Sequence, residues 1–544
     1  MDWMKHLLVV PVLLPLLTGA SLLLIDEIRH TAKAAVSLAS SVLFVVTALA
    51  LMQMADSGTA GSEALSLSYA VASWPAPFAI VLVLDRLSAL MLAVASILAL
   101  AALIYSMARW HRAGPHFHSL FQFLLMGLAG AFLTGDLFNL FVFFEVTLAA
   151  SYGLLLHGSG AFRVRSGLHY IAINLAASLL FLIGVSIVYG VTGTLNMADL
   201  AARLPNVPSE NRMLLEAGAG LLGVAFLVKA GMWPLGFWLP SAYVAAAAPV
   251  SAVFVVLTKV GVYVVLRLSL LLFGSTSGEL TNFGGTVLMW GGLATLAFAT
   301  SGILASQALG RLAAYSVLVS SGTLLATVGL GDVPVISGAL FYLVISSFTT
   351  AALFMLIELV ERAREPGADL LAVTIEVYGE DGEETQEKED EQVGVIMPGA
   401  LAVLGVCFGC IALLLAGLPP LSGFIAKFAM LAGMLNMDGL GSSAEIAPRV
   451  WLLFALIILS GLAALVAMMR SGIRIFWAPL EAVVPRVLVV EVAPVVGLLA
   501  LCLLLTVKGG AMINYTDAAA RSLHDPSGYI QGVLEPVPLG SAAR

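Results

Sequence analysis

Apolar residues fill stretches of about twenty positions from one end of the chain to the other, and the stretches are continuous rather than alternating. A helix of that length crosses the roughly 30 Å hydrocarbon layer of a bilayer. In hydrocarbon the backbone must satisfy its own hydrogen bonds, which leaves helices or closed barrels, and a barrel would show a period of two. The pattern predicts an all-α, polytopic membrane protein. Runs of spanning length fall near 7–25, 33–54, 79–106, 116–134, 137–157, 168–191, 213–236, 249–272, 285–305, 312–330, 335–358, 397–430, 449–469 and 488–508, about fourteen in all. The first has the length of a signal peptide, but IDEIRHTAKA leads straight into the second without a cleavage region, so it is expected to be retained.

The polar residues between the runs carry the next layer of information. Lys and Arg gather on the cytoplasmic side of such proteins. Here they follow the odd-numbered spans, as Arg29 and Lys33, Arg109 and Arg112, Arg163 and Arg165, Arg311, Arg362 and Arg364, and Arg470 and Arg474. The alternation predicts that both termini lie outside the cytoplasm. The connection after span six, with Arg203 and Arg212, breaks the pattern. Composition agrees with a membrane chain: 60% hydrophobic and 11% charged residues, with mean hydropathy +1.03, against roughly 25% charged in a soluble domain.

Much of the net charge of −8 comes from one soluble stretch, residues 362–396, where nine acidic residues between Glu376 and Glu391 face the single Lys388. Such a run reads as a solvated loop, so the acidity implies no basic ligand, and nothing supports nucleic-acid binding. Cys407 and Cys410 form a CxxC in an apolar span with no second pair and read as small buried side chains. GAGLLG at 218–223 follows no strand and reads as helix packing, and with no P-loop present neither ATP nor another cofactor is expected to bind.

Against this background four ionisable residues stand out at mid-span: Glu145, Lys229, Lys259 and Lys427. A charged side chain at the centre of a membrane helix costs roughly 2.5 to 3.5 kcal/mol, so residues in these places point to a substrate or ion pathway. Each also has a purely structural reading: Glu145 as an interhelical hydrogen-bond partner, Lys259 paired with a helix carbonyl, and Lys427 capping carbonyls freed by a helix break. Burial disfavours the charged form and an opposite charge restores it, so a Glu145–Lys229 pair is expected to stay ionised, whereas Lys229 swinging toward Lys259 would favour release of a proton.

Prolines accompany two of the lysines. Pro234 follows Lys229 in span seven, and Pro419 and Pro420 precede Lys427 in span twelve, so both spans are expected to be broken. Their separation by five spans, with the order of Pro and Lys reversed, predicts two inverted five-helix repeats, spans four to eight and nine to thirteen. Asp136 stands where an N-cap is wanted or where an ion is taken up, and Asp85 and Arg86 read as local anchors. Arg267 is near enough to a helix end to snorkel. His111, His116 and His118 suggest a proton-collecting surface without compact metal spacing.

The segments TGDLFNLFVFFEVTLAASYGLLL, FLVKAGMWPLGFWLPSAYVAAAAPVSAV, LTKVGVY and GLPPLSGFIAKF resemble the D subunit of Mrp-type monovalent cation/proton antiporters, relatives of the antiporter-like subunits of respiratory complex I. The resemblance implies fourteen helices in two inverted five-helix repeats, with broken helices seven and twelve. It also implies a mid-membrane polar axis, here Glu145, Lys229, Lys259 and Lys427. Relatives commonly place a His or Lys in the eleventh helix, where this chain has only Ser346, Ser347, Thr349 and Thr350 as a relay. The implied division is residues 1–111, 112–274, 275–475 with its acidic cytoplasmic loop, and 476–544. The implied function is a subunit of a multisubunit Na⁺/H⁺ antiporter in the bacterial inner membrane, a transporter and not an enzyme, assembled with other Mrp subunits. The alternative is a proton-pumping membrane-arm subunit of an NADH-quinone oxidoreductase or a membrane-bound hydrogenase.

Overall fold

The computed structural model describes residues 6–57, 66–71, 74, 76, 80–362, 398–435, 446–477 and 487–535. The acidic stretch expected between spans eleven and twelve, with Arg364, lies outside the described residues.

The N-terminal helices are α1 (Val10–Leu23), α2 (His30–Ser57) and α3 (Arg86–Ser106). Then come α4 (Phe117–Leu133), α5 (Leu137–Leu155), α6 (Ala161–Thr192), the short α7 (Met197–Arg203), α8 (Ser209–Ala230), α9 (Trp238–Ala245) and α10 (Ala248–Phe273). The second half holds α11 (Gly285–Ala305), α12 (Leu309–Leu330), α13 (Val333–Glu361), α14 (Pro398–Ala416), α15 (Ser422–Leu435) and α16 (Pro448–Gly472). The chain closes with α17 (Val489–Val507), α18 (Gly509–His524) and α19 (Ser527–Leu534). Among the described residues, twelve helices are long and apolar enough to cross a membrane, and α1, α4 and α15 are shorter apolar helices. With α1 and α4 as crossings and α15 completing α14, the chain is a multi-pass membrane protein whose segments follow the order of the apolar runs.

Three boundaries differ from the sequence expectation. The third span begins as a strand: β2 (Val81–Leu84) pairs antiparallel with β1 (Leu67–Ala70), and Asp85 then starts α3 by accepting from Ser88 N–H in a reciprocal capping box. The seventh span extends beyond residue 236, because α9 resumes after the break. The tail beyond α17 is helical, and α18 packs against α13 while α19 packs against α7 and β1.

Contacts between connections sort them onto two faces. On one, Trp110 Nε1 donates to Glu358, Arg362 bridges Glu358 and Glu491, Arg163 donates to the Ala245 carbonyl, and Arg470 to those of Leu304 and Ser306. On the other, Asp136 bridges to Asn196, Asp85 pairs with Arg267, and His524 meets the Gly331 carbonyl. These are the odd-numbered and even-numbered connections respectively. Arg203 and Arg212, which broke that pattern, are ion-paired with Asp199 and Glu279.

The centre of the bundle is α13, enclosed along its membrane-length window, with α10 and α12 nearly so. Glycine allows close contact there: a Cβ on Gly261 of α10 would sit 2.6 Å from the Ala230 nitrogen at the end of α8. Of the glycines of GAGLLG, Gly218 does similar work, lying against Ile187 and Val188 of α6, whereas a Cβ on Gly220 or Gly223 would meet nothing within 4 Å.

Candidate functional site

The two expected breaks are present, and each positions a lysine. Helix α8 ends at Gly231, whose φ of +74° suits glycine. Lys229 therefore occupies the last turn of α8, and Trp238 Nε1 donates to the Val228 carbonyl across the break at 3.2 Å. Helix α14 ends before Gly417, at φ +73°. Lys427 lies beyond that break on α15 and reaches back, its Nζ donating to the carbonyls of Leu415 at 2.9 Å and Ala416 at 3.1 Å. The structural reading of Lys427 as a cap for freed carbonyls is thus realised in the geometry.

Lys229 does not form a contact ion pair with Glu145. Its Nζ lies over the Phe144 ring, 5.0 Å from the centroid, and Glu145 acts on it as a neighbouring charge. Glu145 Oε1 is buried with no hydrogen-bond partner. Lys259, 1% exposed, sits in the middle of α10. The contact at Gly261 places Lys229 and Lys259 on helices that touch within two residues of each.

Lys259 Nζ donates to Ser320 Oγ of α12 at 2.6 Å, and Ser320 Oγ is 2.8 Å from Ser346 Oγ of α13. This chain of bonds replaces the helix-carbonyl partner considered for Lys259. Of the four relay candidates, Ser346, Thr349 and Thr350 line a cavity of about 20 Å³ that Leu414 and Leu415 also line, room for about one water. Ser347 bonds to the Leu343 carbonyl of its own helix. The cavity therefore joins Ser346 to the residue whose carbonyl holds Lys427. Ser320 was not singled out in the sequence, although the run SVLVSSGT in an apolar span was a signal for it.

The remaining candidates lie off this row. Asp136 caps α5, its Oδ1 accepting from Phe138 N–H at 2.8 Å and Asn139 N–H at 3.0 Å, and burial raises its carboxyl above the usual range. Pro234 lies within the break after α8, and Pro419 and Pro420 in the break after α14. Arg267 does not snorkel: it is buried, holds Asp85 through both terminal nitrogens, and stacks over Tyr529 at 5.1 Å. His111 and His118 are buried against one another, ring centroids 5.5 Å apart, rather than spread over a collecting surface. Burial lowers the pKa of His111, as it does that of His157 just past the end of α5.

Fold and site define a class: a helical membrane protein with two broken helices and the buried lysines Lys229, Lys259 and Lys427. The family model described as "NADH:quinone oxidoreductase/Mrp antiporter, TM" matches residues 134–442, and the chain belongs to that family of transport proteins. It is 58% identical over 99% of both chains to the probable K⁺/H⁺ antiporter D subunit of Rhizobium meliloti. It is 34% identical to the Na⁺/H⁺ antiporter D subunit of Bacillus subtilis, covering 98% of this chain and 100% of that one. Among solved structures, a chain of the Mrp complex from Dietzia sp. superposes with a TM-score of 0.79 at 26% identity, over 98% of this chain and 100% of that one.

Proposed function

We propose that this chain is the D subunit of a multisubunit monovalent cation/proton antiporter and moves protons along Glu145, Lys229, Lys259, Ser320, Ser346 and Lys427. The observation that carries the reading is the Lys259–Ser320–Ser346 chain with its small cavity facing Leu415. It links the middle lysine to the last one without a titratable side chain in α13. Hydroxyls both donate and accept, so a proton passes by exchange along Ser320 and Ser346 and one intervening water. The like charges of Lys229 and Lys259 favour proton release when Lys229 leaves the neighbourhood of Glu145.

The cation is Na⁺ or K⁺, since the relatives named above carry both descriptions. The Na⁺ expected from the sequence is one of the two. The Dietzia complex, an Mrp assembly by name, supports the other Mrp subunits as partners. The Arg-rich connections support a cytoplasmic location for the face of Trp110 and Arg163, with both termini on the opposite side of the cell membrane in this reading. Spans four to eight and nine to thirteen are inverted repeats in this reading, since Lys229 precedes its break and Lys427 follows its own. The units are residues 1–111, 112–274, 275–475 and 476–544.

The test uses everted vesicles from antiporter-deficient cells expressing the complete complex. Added Na⁺ or K⁺ should release the interior proton load, and Lys229→Ala should abolish that response while the complex still assembles. Full exchange in Lys229→Ala would refute the reading.

A further inference from the structure

Gly220 and Gly223 face open space, not a neighbouring helix. The space belongs to a cavity of about 290 Å³ in the half of the bundle nearer Asp136, walled by Leu215, Leu222 and Phe226 of α8, Leu268 and Leu272 of α10 and Leu288 of α11. Helix α8 packs against α6 and α10, and α11 against α12 and α16, so the cavity fills the angle between the two groups. Among the described residues that line it, Ser269 carries the one polar side chain. A bound water needs at least two polar partners, so this wall suits hydrocarbon and not water.

The cavity is continuous with the surface turned to the bilayer. Val224 of α8 and Val287 of α11 line it and are 38% and 58% exposed, beside other exposed apolar side chains such as Leu214 and Trp290. Its wall on α8 runs from residue 215 to residue 227, roughly 18 Å at 1.5 Å per residue. That is close to the depth of one leaflet, about half of a 30 Å hydrocarbon layer.

The end at the Asp136 face is polar and charged. A second cavity of about 230 Å³ shares Ser269, Phe273, Phe283 and Leu288 with the first and is rimmed by Thr281, Asn282 and His524. Arg212, one turn before Leu215, is ion-paired here with the largely exposed Glu279, and Arg203 adjoins Leu204 of the cavity wall. These are the two bases that break the alternation of charge along the chain. A guanidinium has five N–H donors and forks onto phosphate, so Arg212 can hold one beside its carboxylate partner. Opposite charges at the mouth and a slot of leaflet depth beneath them are complementary to a phospholipid whose head carries both a phosphate and an amine.

We propose that the cavity between α8 and α11 holds one acyl chain of a phosphatidylethanolamine from the leaflet at the Asp136 face, with its phosphate on Arg212 and its ammonium on Glu279. The end of the acyl chain reaches Phe226, whose ring lies 6.1 Å from that of Phe144, the ring beneath Lys229. A bilayer lipid thereby backs the aromatic support of a buried lysine. The site goes beyond the antiport reading and does not depend on which ion moves.

A phosphatidylethanolamine with a diazirine near the end of one acyl chain tests it on the detergent-purified complex. Irradiation should label residues 219–227 or 283–288 at least about fivefold more strongly than residues 452–469 of α16, whose exposed apolar side chains report ordinary lipid contact. Gly223→Phe, which fills the slot, should lower that label at least about fivefold at unchanged complex level and unchanged α16 labelling. Arg212→Ala combined with Glu279→Ala should lower it at least about threefold. Should Gly223→Phe fail to assemble, competition in the wild-type complex decides: excess unlabelled phosphatidylethanolamine should displace the probe, and phosphatidylglycerol, which lacks the amine, should not. Label no stronger than on α16, as when a helix of a partner subunit closes the opening, overturns the proposal. Full labelling of Gly223→Phe, or equal displacement by the two lipids, overturns it as well. Ion exchange plays no part in the readout, so these outcomes are separate from failure of the antiport reading.

Discussion

Lys259 Nζ and Ser320 Oγ are hydrogen-bonded at 2.6 Å across the contact between α10 and α12, and this bond couples the first lysine-bearing half of the chain to the second. Replacing Ser320 by Ala removes both the acceptor and the bridge to Ser346. A hydrogen bond to a charged group contributes about 1.5 to 3 kcal/mol. Ser320→Ala is expected to slow cation-dependent proton exchange by about tenfold or more, roughly 1.4 kcal/mol in the rate, whereas Ser320→Thr retains it. Initial rates in vesicles at matched complex levels check this.

Lys427 serves the fold as well as the proposed route. Lys427→Met leaves the Leu415 and Ala416 carbonyls without their donor, at a cost of about 1 to 3 kcal/mol for an unsatisfied buried group. The purified complex should unfold at lower temperature and exchange no protons. Lys427→Arg should recover most of the stability, since a guanidinium also donates to carbonyls. Thermal unfolding alongside vesicle exchange separates the two effects.

The buried pair of Asp85 and Arg267 ties α3 to α10. Burial alone would raise the Asp85 carboxyl, but the Arg267 charge and hydrogen bonds outweigh it and hold the pKa below the usual range. Removing one partner of a buried pair costs about 3 to 5 kcal/mol, because the other charge is left uncompensated. Asp85→Asn and Arg267→Met should each destabilise strongly, and the double variant should lose less than the sum. A double-mutant cycle on thermal unfolding measures the difference.

Acid should loosen the Arg163 face. Burial, with the charges of Arg112 and His30 added, lowers the pKa of His111, and burial lowers that of His157. Each group binds fewer protons in the folded state, so stability rises with pH through the interval between the folded and unfolded values and is lost as pH falls below about 6.5. Thermal unfolding followed from pH 8 to pH 5 should show the decline. His111→Phe combined with His157→Phe should reduce it.

The spans, the two breaks and the lysine-bearing positions were legible in the sequence because each follows from a local rule: apolar length, proline, and the cost of charge in hydrocarbon. What escaped was relational. Ser320 is an ordinary serine in an apolar helix, and only packing shows that it bonds Lys259. Arg267 looked like a snorkelling residue because its distance from a helix end is visible in the chain, whereas Asp85, 182 positions away, is not. Glu145 and Lys229 suggested an ion pair by charge alone. The structure instead seats Lys229 over Phe144, a neighbour that carries no charge signal.

The proposed route carries protons between the two halves through Lys259, which is bonded to Ser320 rather than to a carboxylate. The most direct measurement is cation-driven proton movement in proteoliposomes holding the purified complex with Lys259→Met in this chain. The route predicts no movement above that of protein-free liposomes, with assembly intact. A wild-type rate from an intact Lys259→Met complex would contradict it.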